Sequence, residues 1–572
     1  NKCFNKNKNY NNYNNYSNNE TETEESDDEG YEGATVFEPN VGVHYKHIIV
    51  LDFASLYPNS MILKNLSHES FVMDDKYDNL PDYNYHEIQY KKHSGEIVTC
   101  RFAEKKDGTK SIIPKILQDL LATRKKYKKL KAVENDAFIK SIYDGLQLAY
   151  KVTANSLYGQ TGASTSPICM KVIAASTTAT GRDMLQYAKY FIEDIYAKII
   201  KLSISNKHKK FIKYMNSIFQ DIPDEKLMDE KKNISNRVEF YEWIYKRSQD
   251  LLDEYTIDPK VIYGDTDSVF FCMNMIDKKT GQVIQTQEYL KLAIDIGIFA
   301  SDIVNTLMKK PMNLEYEKVL WPFVILTKKR YVGNLYEFDP NKYHQKSMGI
   351  VLKRRDNAPI VKVVVGGIID KIIARDPVGA VKLTQDTLQK IITGKYNIDK
   401  FIITKTLKSL DSYKDWTRLP HAVLANRMSI RDPGNAPQSN DRIPFAYIEV
   451  KHKVNLQGDR VEHPNYITEN NLKLDYLFYI TNQIMKPAIQ FLELIVENPE
   501  DIFKDYIIKE KNRQKGIKPI CAMLSNNDGD NKEIINMDDL IDFNNMDDLI
   551  DLHTECKTRK TKKNSKTNKT KK

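Results

Sequence analysis

Two hydrophobic signatures alternate along this chain. The first is the short, unbroken apolar run. His47-Ile48-Ile49-Val50-Leu51 leads directly into Asp52, and the lack of polar alternation predicts a central strand covered on both faces. Val261-Ile262-Tyr263 and Ser268-Val269-Phe270-Phe271 flank Gly264-Asp265-Thr266-Asp267, which predicts a hairpin with acids at its tip. Phe323-Val324-Ile325-Leu326 predicts another strand, running into Thr327-Lys328-Lys329-Arg330-Tyr331. The second signature is helical. From Pro114, a favourable first-turn residue, Ile116, Leu117, Leu120 and Leu121 form an apolar stripe. A second helix is predicted over residues 137 to 156. Only a few residues separate the two, so they predict an antiparallel helical hairpin. Residues 200 to 258 are rich in Lys, Asp and Asn with scattered aromatics and predict a helical surface insertion. From about 355 to 515 the pattern is mostly helical, with a turn at Asp432-Pro433-Gly434.

The ends read differently. Residues 1 to 29 are Asn-, Lys- and Tyr-rich, then acidic, and predict disorder. Residues 521 to 556 are polar and acidic and hold a near-duplicate, Asn536-Met537-Asp538-Asp539-Leu540-Ile541-Asp542 and Asn545-Met546-Asp547-Asp548-Leu549-Ile550-Asp551. Two copies cannot build a solenoid, so an acidic interaction segment or a solvated tail is expected. A basic tail, a tether or nuclear-localisation-like segment, runs on to Lys572.

Composition sharpens this picture. With 572 residues, 41% of them hydrophobic, the chain has room for about three or four domains. The net charge of +9 equals the charge of residues 557 to 572 alone, which hold eight Lys, one Arg and no acid. Overall basicity therefore says nothing about nucleic acid, and local clusters must carry that argument. The six cysteines form no CxxC pair, which disfavours zinc, iron–sulfur and disulfide frameworks and suits an intracellular protein. No run of about 18 apolar residues appears, so a membrane partner is not expected. The first residue is Asn1, as in a piece of a longer reading frame or a processed product.

Three segments carry chemistry. Asp52 at a strand end, with Asp265 and Asp267 at a hairpin tip, supplies the oxygen ligands that hard divalent cations require. Two such ions can clamp the attacking and leaving oxygens of a phosphoryl transfer. Without cations, acids set side by side repel and raise their own pKa values. In Lys151-Val152-Thr153-Ala154-Asn155-Ser156-Leu157-Tyr158-Gly159, Lys151, Asn155 and Tyr158 fall on one helical face. Arg124 and Lys128 share a face of the preceding helix and suit phosphate. Tyr57, five residues after Asp52, could close the space beside a sugar 2′ position and so exclude a 2′-OH. Lys328, Lys329, Arg330 and Tyr331 suit a duplex backbone.

These residues resemble a known family. Asp52-Phe53-Ala54-Ser55-Leu56-Tyr57-Pro58, Lys151-x-x-x-Asn155-Ser156-Leu157-Tyr158-Gly159 and Tyr263-Gly264-Asp265-Thr266-Asp267-Ser268 are similar, in this order, to motifs A, B and C of family B DNA polymerases. Thr327 to Tyr331 resembles the family's KKRY element, and Tyr31-Glu32-Gly33-Ala34 its link between exonuclease and polymerase modules. Lys353-Arg354-Arg355-Asp356-Asn357 and Arg431-Asp432-Pro433-Gly434-Asn435-Ala436-Pro437 resemble thumb-side elements of delta-type enzymes, to which enzymes of large DNA viruses are similar. The resemblance covers roughly residues 31 to 500.

The resemblance implies a multidomain α+β fold. A palm of antiparallel sheet with helices would take residues 30–110 and 166–352, the latter including the insertion, motif C and KKRY. A helical-hairpin fingers domain would take 111–165, and a mostly helical thumb 353–520. It implies Asp52, Asp265 and Asp267 as catalytic metal-site residues for two Mg²⁺ ions, with Mn²⁺ as an alternative, and Glu315 and Glu317 near them. It implies nucleotide contacts from Ser55, Leu56, Tyr57, Arg124, Lys128, Lys151, Asn155, Tyr158 and Gly159. DNA contacts would come from Lys328, Lys329, Arg330, Tyr331 and Arg355. Primer-template DNA and dNTPs are the implied partners, with a separate exonuclease half and a sliding clamp as further candidates. The nucleus or a viral replication compartment is the implied location. Only about 50 residues precede Asp52, so a polymerase module without its proofreading half is expected. Two other functions compete: a non-catalytic nucleic-acid-binding fragment, and an RNA-making or reverse-transcribing enzyme, which Tyr57 disfavours.

Overall fold

The computed structural model describes residues 30–353, 356–450 and 456–516. The expectations for residues 1–29, for Arg355 and for the tail from 521 onward lie outside the described residues. The chain divides into two compact units, residues 1–505 and 506–572. In the second, only the end of one helix is described.

The strands are β1 (Gly42–His44), β2 (Ile48–Phe53), β3 (Tyr83–Lys91), β4 (Ile97–Lys105), β5 (Tyr255–Thr256), β6 (Lys260–Asp265), β7 (Ser268–Cys272), β8 (Ile276–Asp277), β9 (Leu314–Thr327), β10 (Arg330–Tyr336), β11 (Tyr343–Met348), β12 (Ile403–Thr406), β13 (Arg442–Tyr447) and β14 (Val461–Glu462). The main sheet runs β11-β10-β9-β2-β7-β6, with β1 also on β9. Its pairings are antiparallel.

β2 lies inside this sheet, and its unbroken apolar run has a direct cause. Successive strand residues point to opposite faces, and both faces are covered. Ile49, Leu51 and Phe53 enter the largest core. Ile48 and Val50 enter a second core with Ile262, Tyr263, Phe270 and Phe323. The strand expected at 323–326 is only the end of β9. Its first half alternates Leu314, Tyr316 and Val319 with Glu315, Glu317 and Lys318 and so lacks a continuous run.

The helices that frame the sheet are α1 (Leu56–Leu63), α2 (Ile112–Val133), α3 (Ala137–Gly162), α4 (Lys171–Tyr190), α5 (Ala197–Ile204), α6 (His208–Phe219), α7 (Arg237–Leu252) and α8 (Leu290–Leu307). α2 begins two residues before Pro114, which occupies its third position, where a missing N–H still costs nothing. α3 runs six residues beyond the expected end. The carboxylate of Asp136 caps its start by accepting from the amides of Phe138 and Ile139. Tyr127 of α2 stacks on Tyr150 of α3 at 5.7 Å, fastening the hairpin midway.

The insertion is helical but is no surface appendage. Phe211, Met215 and Phe219 recur on one face of α6 and are fully buried. They join Phe240, Tyr241 and Ile244 of α7 in the same core that covers the sheet. Its many lysines had masked a complete apolar stripe.

Beyond residue 353 the helices are α9 (Pro359–Ile373), α10 (Pro377–Ile392), α11 (Pro420–Arg431), α12 (Pro464–Glu469), α13 (Tyr476–Phe478), α14 (Lys486–Leu492) and α15 (Asp501–Gln514). A small antiparallel sheet, β12-β13-β14, interrupts them. Its strands of four, six and two residues are too short to show an alternation in the sequence. Among the described residues no helix is long and apolar enough to cross a membrane.

Candidate active site

The sheet brings the acidic segments together by register. Asp52, at the end of β2, pairs with Ser268 of β7 on one side and with Glu315 of β9 on the other. Asp267 immediately precedes β7, and its carbonyl accepts from the amide of Phe53 at 2.8 Å. The β2–β9 register shifts between Val50 and Leu51, whose partners are Lys318 and Tyr316. Glu317 is the extra residue of this bulge, and such bulges re-aim a side chain. Burial, then Asp267 and Glu317, push the Asp52 carboxyl up to about 8. Burial, Asp265 and Glu317 likewise raise Asp267. Crowded, half-buried carboxylates of this kind suit a divalent cation, whose charge would relieve all of them.

Asp265 is held differently. Its Oδ1 lies 2.5 Å from Nζ of Lys329 and 3.1 Å from Oγ1 of Thr266, and its Oδ2 accepts from the Tyr263 hydroxyl at 3.2 Å. Among the described residues, no three His, Cys, Asp or Glu side chains are gathered so as to hold a metal ion by themselves. The three aspartates thus share one sheet end: Asp267 helps raise Asp52 and is itself raised by Asp265, whose carboxylate a lysine engages.

The turn between β6 and β7 is strained. Thr266, a β-branched residue, sits at φ 59°, a conformation such residues avoid. A neighbouring stretch of chain supports it. The amide of Thr266 donates to the carbonyl of Thr35 at 3.1 Å, and the amide of Phe37 to the carbonyl of Gly264 at 2.9 Å. A Cβ at Gly264 would lie 2.5 Å from the Phe37 ring, so a glycine is needed for this contact. Arg182 of α4 fixes the same stretch by donating to the carbonyls of Glu32 and Gly33 at 2.7 and 2.9 Å.

Facing the acids is an equally crowded set of cations. Lys151 on α3 is close enough to Asp52 and Asp267 to offset a small part of the rise in both carboxyl pKa values. Arg124 on α2 donates from Nη1 to Oγ of Ser55 at 3.1 Å. Its Nε is buried and has no acceptor. Burial lowers the Arg124 pKa. Lys128 is lowered by burial, then by Arg124 and Lys151. An orphaned guanidinium nitrogen beside mutually repelling cations is a ready receptor for phosphate oxygens.

The aromatic side of the site is built by Tyr57 and Tyr158, whose ring centroids lie 4.5 Å apart. Asn155 and Gly159 are exposed on α3. Leu56 is buried and opens α1, and Ser55 before it adopts a left-handed conformation at φ 55°. The KKR segment forms the β9–β10 turn. Lys328 pairs with Glu38 at 2.6 Å. Lys329, at φ 61°, donates its amide to the Tyr263 hydroxyl at 2.9 Å. Arg330 donates to Gln490 at 2.7 Å. Tyr331 packs edge-on against Tyr263 and Phe270. Two contributors escaped the sequence: Arg182, which lies in an ordinary-looking helix, and Lys318, whose charge opposes the rise at Asp52 and which became visible only through the bulge.

Known proteins are similar to this chain. The model of DNA polymerase family B matches residues 8–495. A DNA polymerase of Pyramimonas orientalis virus is 42% identical over 82% of this chain and 38% of its own length. One from Acanthamoeba polyphaga mimivirus is 48% identical over 46% of this chain and 16% of its own length. The DNA polymerase delta catalytic subunit of Caenorhabditis elegans is 32% identical over 82% of this chain and 36% of its own length. The chain thus spans well under half the length of these curated relatives.

Proposed function

This chain belongs to DNA polymerase family B, and from that premise we propose that it extends a primer 3′-OH with dNTPs on a DNA template. On this reading the main sheet with α4 and α8 is the palm, α2 and α3 are the fingers, and the elements beyond residue 353 form the thumb. Primer-template DNA and dNTPs are its substrates, and the nucleus or a viral replication compartment is its setting.

The observation that carries the proposal is the pairing of opposites at one sheet end. Asp52, Asp267 and Glu317 crowd one another, while Arg124, Lys128 and Lys151 crowd from the helices above. A metal-bound triphosphate would match both sets in charge. Divalent cations held by Asp52 and Asp267 would neutralise the carboxylates and substrate phosphates and make the 3′-OH a better nucleophile. The 3′-OH loses its proton to solvent, its oxygen bonds to the α-phosphorus, the bond to the bridging oxygen breaks, and pyrophosphate leaves. Arg124, Lys128 and Lys151 hold the charge that develops on it. Tyr57 lies beside the sugar and excludes a 2′-OH. Lys328, Lys329, Arg330 and Tyr331 hold the duplex near the primer end.

Primer extension with Mg²⁺ and dNTPs tests this. Asp52→Asn and Asp267→Asn are each expected to abolish extension while duplex binding at fixed salt persists. Extension at the unsubstituted rate by either variant would refute the assignment. Duplex binding without extension by the unsubstituted chain would favour a binding fragment.

A further inference from the structure

Gly181 lies in the middle of α4, ten residues after its first residue and nine before its last. A glycine there costs about 1 kcal/mol relative to alanine, and its backbone is helical, so no unusual φ demands it. The reason lies in what it touches. A Cβ at Gly181 would stand 3.0 Å from Cε1 and 3.5 Å from Cδ1 of Tyr57, and 3.4 Å from Cδ2 of Leu56. Gly181 is buried, so the helix cannot easily swing away. On the α3 side the Tyr57 ring meets Tyr158, centroid to centroid at 4.5 Å. The ring is therefore wedged between a bare helix backbone and a second tyrosine.

We propose that Gly181 is a specificity-determining positioning residue: its missing side chain sets how far the Tyr57 ring stands back from the nucleotide sugar. This rests on the reading of Tyr57 as the residue beside that sugar. A methyl group on Gly181 must displace one edge of the ring by a few tenths of an ångström, away from α4 and toward α3, where the nucleotide enters. A rigid aromatic wall moved this little still matters, because it separates a hydrogen from a hydroxyl at one ring position. The neighbouring Arg182 anchors the stretch at residues 32 and 33, so α4 is braced at this point and the ring must give.

The test is a double-mutant cycle read by single-nucleotide insertion with Mg²⁺. Gly181→Ala is expected to raise KM for dNTP about fivefold or more with kcat changed less, in line with overpacking. It should lower rNTP insertion at least as much. In a Tyr57→Ala background, which removes the ring, Gly181→Ala should change KM by less than about twofold. Equal effects in both backgrounds would overturn the proposal. If Tyr57→Ala leaves the dNTP-to-rNTP preference unchanged, the sugar reading of Tyr57 itself fails, which is a separate result. If Gly181→Ala alone does not fold, refolding of the double variant confirms the wedge by thermal melt, and failure of both refutes it.

Discussion

Nζ of Lys329 sits 2.5 Å from Oδ1 of Asp265, joining the β9–β10 turn to the acid-bearing β6–β7 turn. The lysine side chain is 61% exposed, so solvent screens the pair and a phosphate can compete for the ammonium. Lys329→Ala is expected to weaken primer-template binding several-fold and to lower the log–log salt slope by about one. Fluorescence anisotropy at four salt concentrations measures this, and an unchanged slope would remove Lys329 from the duplex contacts.

Asp52 is more useful than it is comfortable. Burial beside Asp267 and Glu317 pushes its carboxyl up to about 8, so near neutral pH the charged form is disfavoured in the fold. Asp52→Asn should therefore raise stability by about 1 to 3 kcal/mol in chelator while extension is lost. Chemical denaturation with EDTA checks the sign, and a destabilised variant would contradict the crowding.

Arg124 offers a planar fork, with one nitrogen on Ser55 and its buried Nε waiting for an acceptor. Lysine keeps the charge and loses the fork. Arg124→Lys should raise KM for dNTP about tenfold with little effect on duplex affinity. Steady-state kinetics set against a binding isotherm separates these.

Phe219 is fully buried and meets Phe240 edge-on at 5.4 Å. Since this contact belongs to the core that covers the sheet, Phe219→Ala should cost about 3 to 5 kcal/mol. A loss under about 1 kcal/mol in urea unfolding would restore the picture of a detached surface insertion.

His47 stacks on Trp321 at 5.5 Å and is almost completely buried. Burial lowers its pKa to about 4, with the backbone near Thr286 pulling slightly upward. Neither ring nitrogen meets a partner within hydrogen-bonding geometry. The unfolded chain binds this proton from about pH 6.5 downward and the folded chain only near 4. Its share of stability, about 3 kcal/mol, is present above pH 6.5 and lost as pH falls toward 4. His47→Phe should flatten that acid limb in thermal melts.

Much of this was legible because the governing signals are local. β2, the β6–β7 hairpin and the α2–α3 pair arise from runs and stripes within a few residues of each other. The spacing of Lys151, Asn155 and Tyr158 follows from helical geometry alone. What stayed hidden was set by tertiary contact. Glu317 was expected near the aspartates, but the bulge that brings it there was not, and a bulge leaves no mark in a stretch that already mixes charge and apolar residues. Lys329 turned toward Asp265 because two separate hairpins meet. Phe211, Met215 and Phe219 looked incidental among lysines until their shared face was seen to be covered. β12 to β14 were missed because strands so brief owe their pairing to neighbours rather than to their own residues.

Thr266 holds its awkward conformation partly because Thr35 receives its amide. The acidic turn thus borrows its shape from a strip of chain far away in sequence, and the strip in turn leans on Arg182. A protease nick between residues 30 and 36 should therefore let the threonine relax, and Asp267 drift with it. Wear at the periphery would be reported first at the centre, as silence rather than collapse.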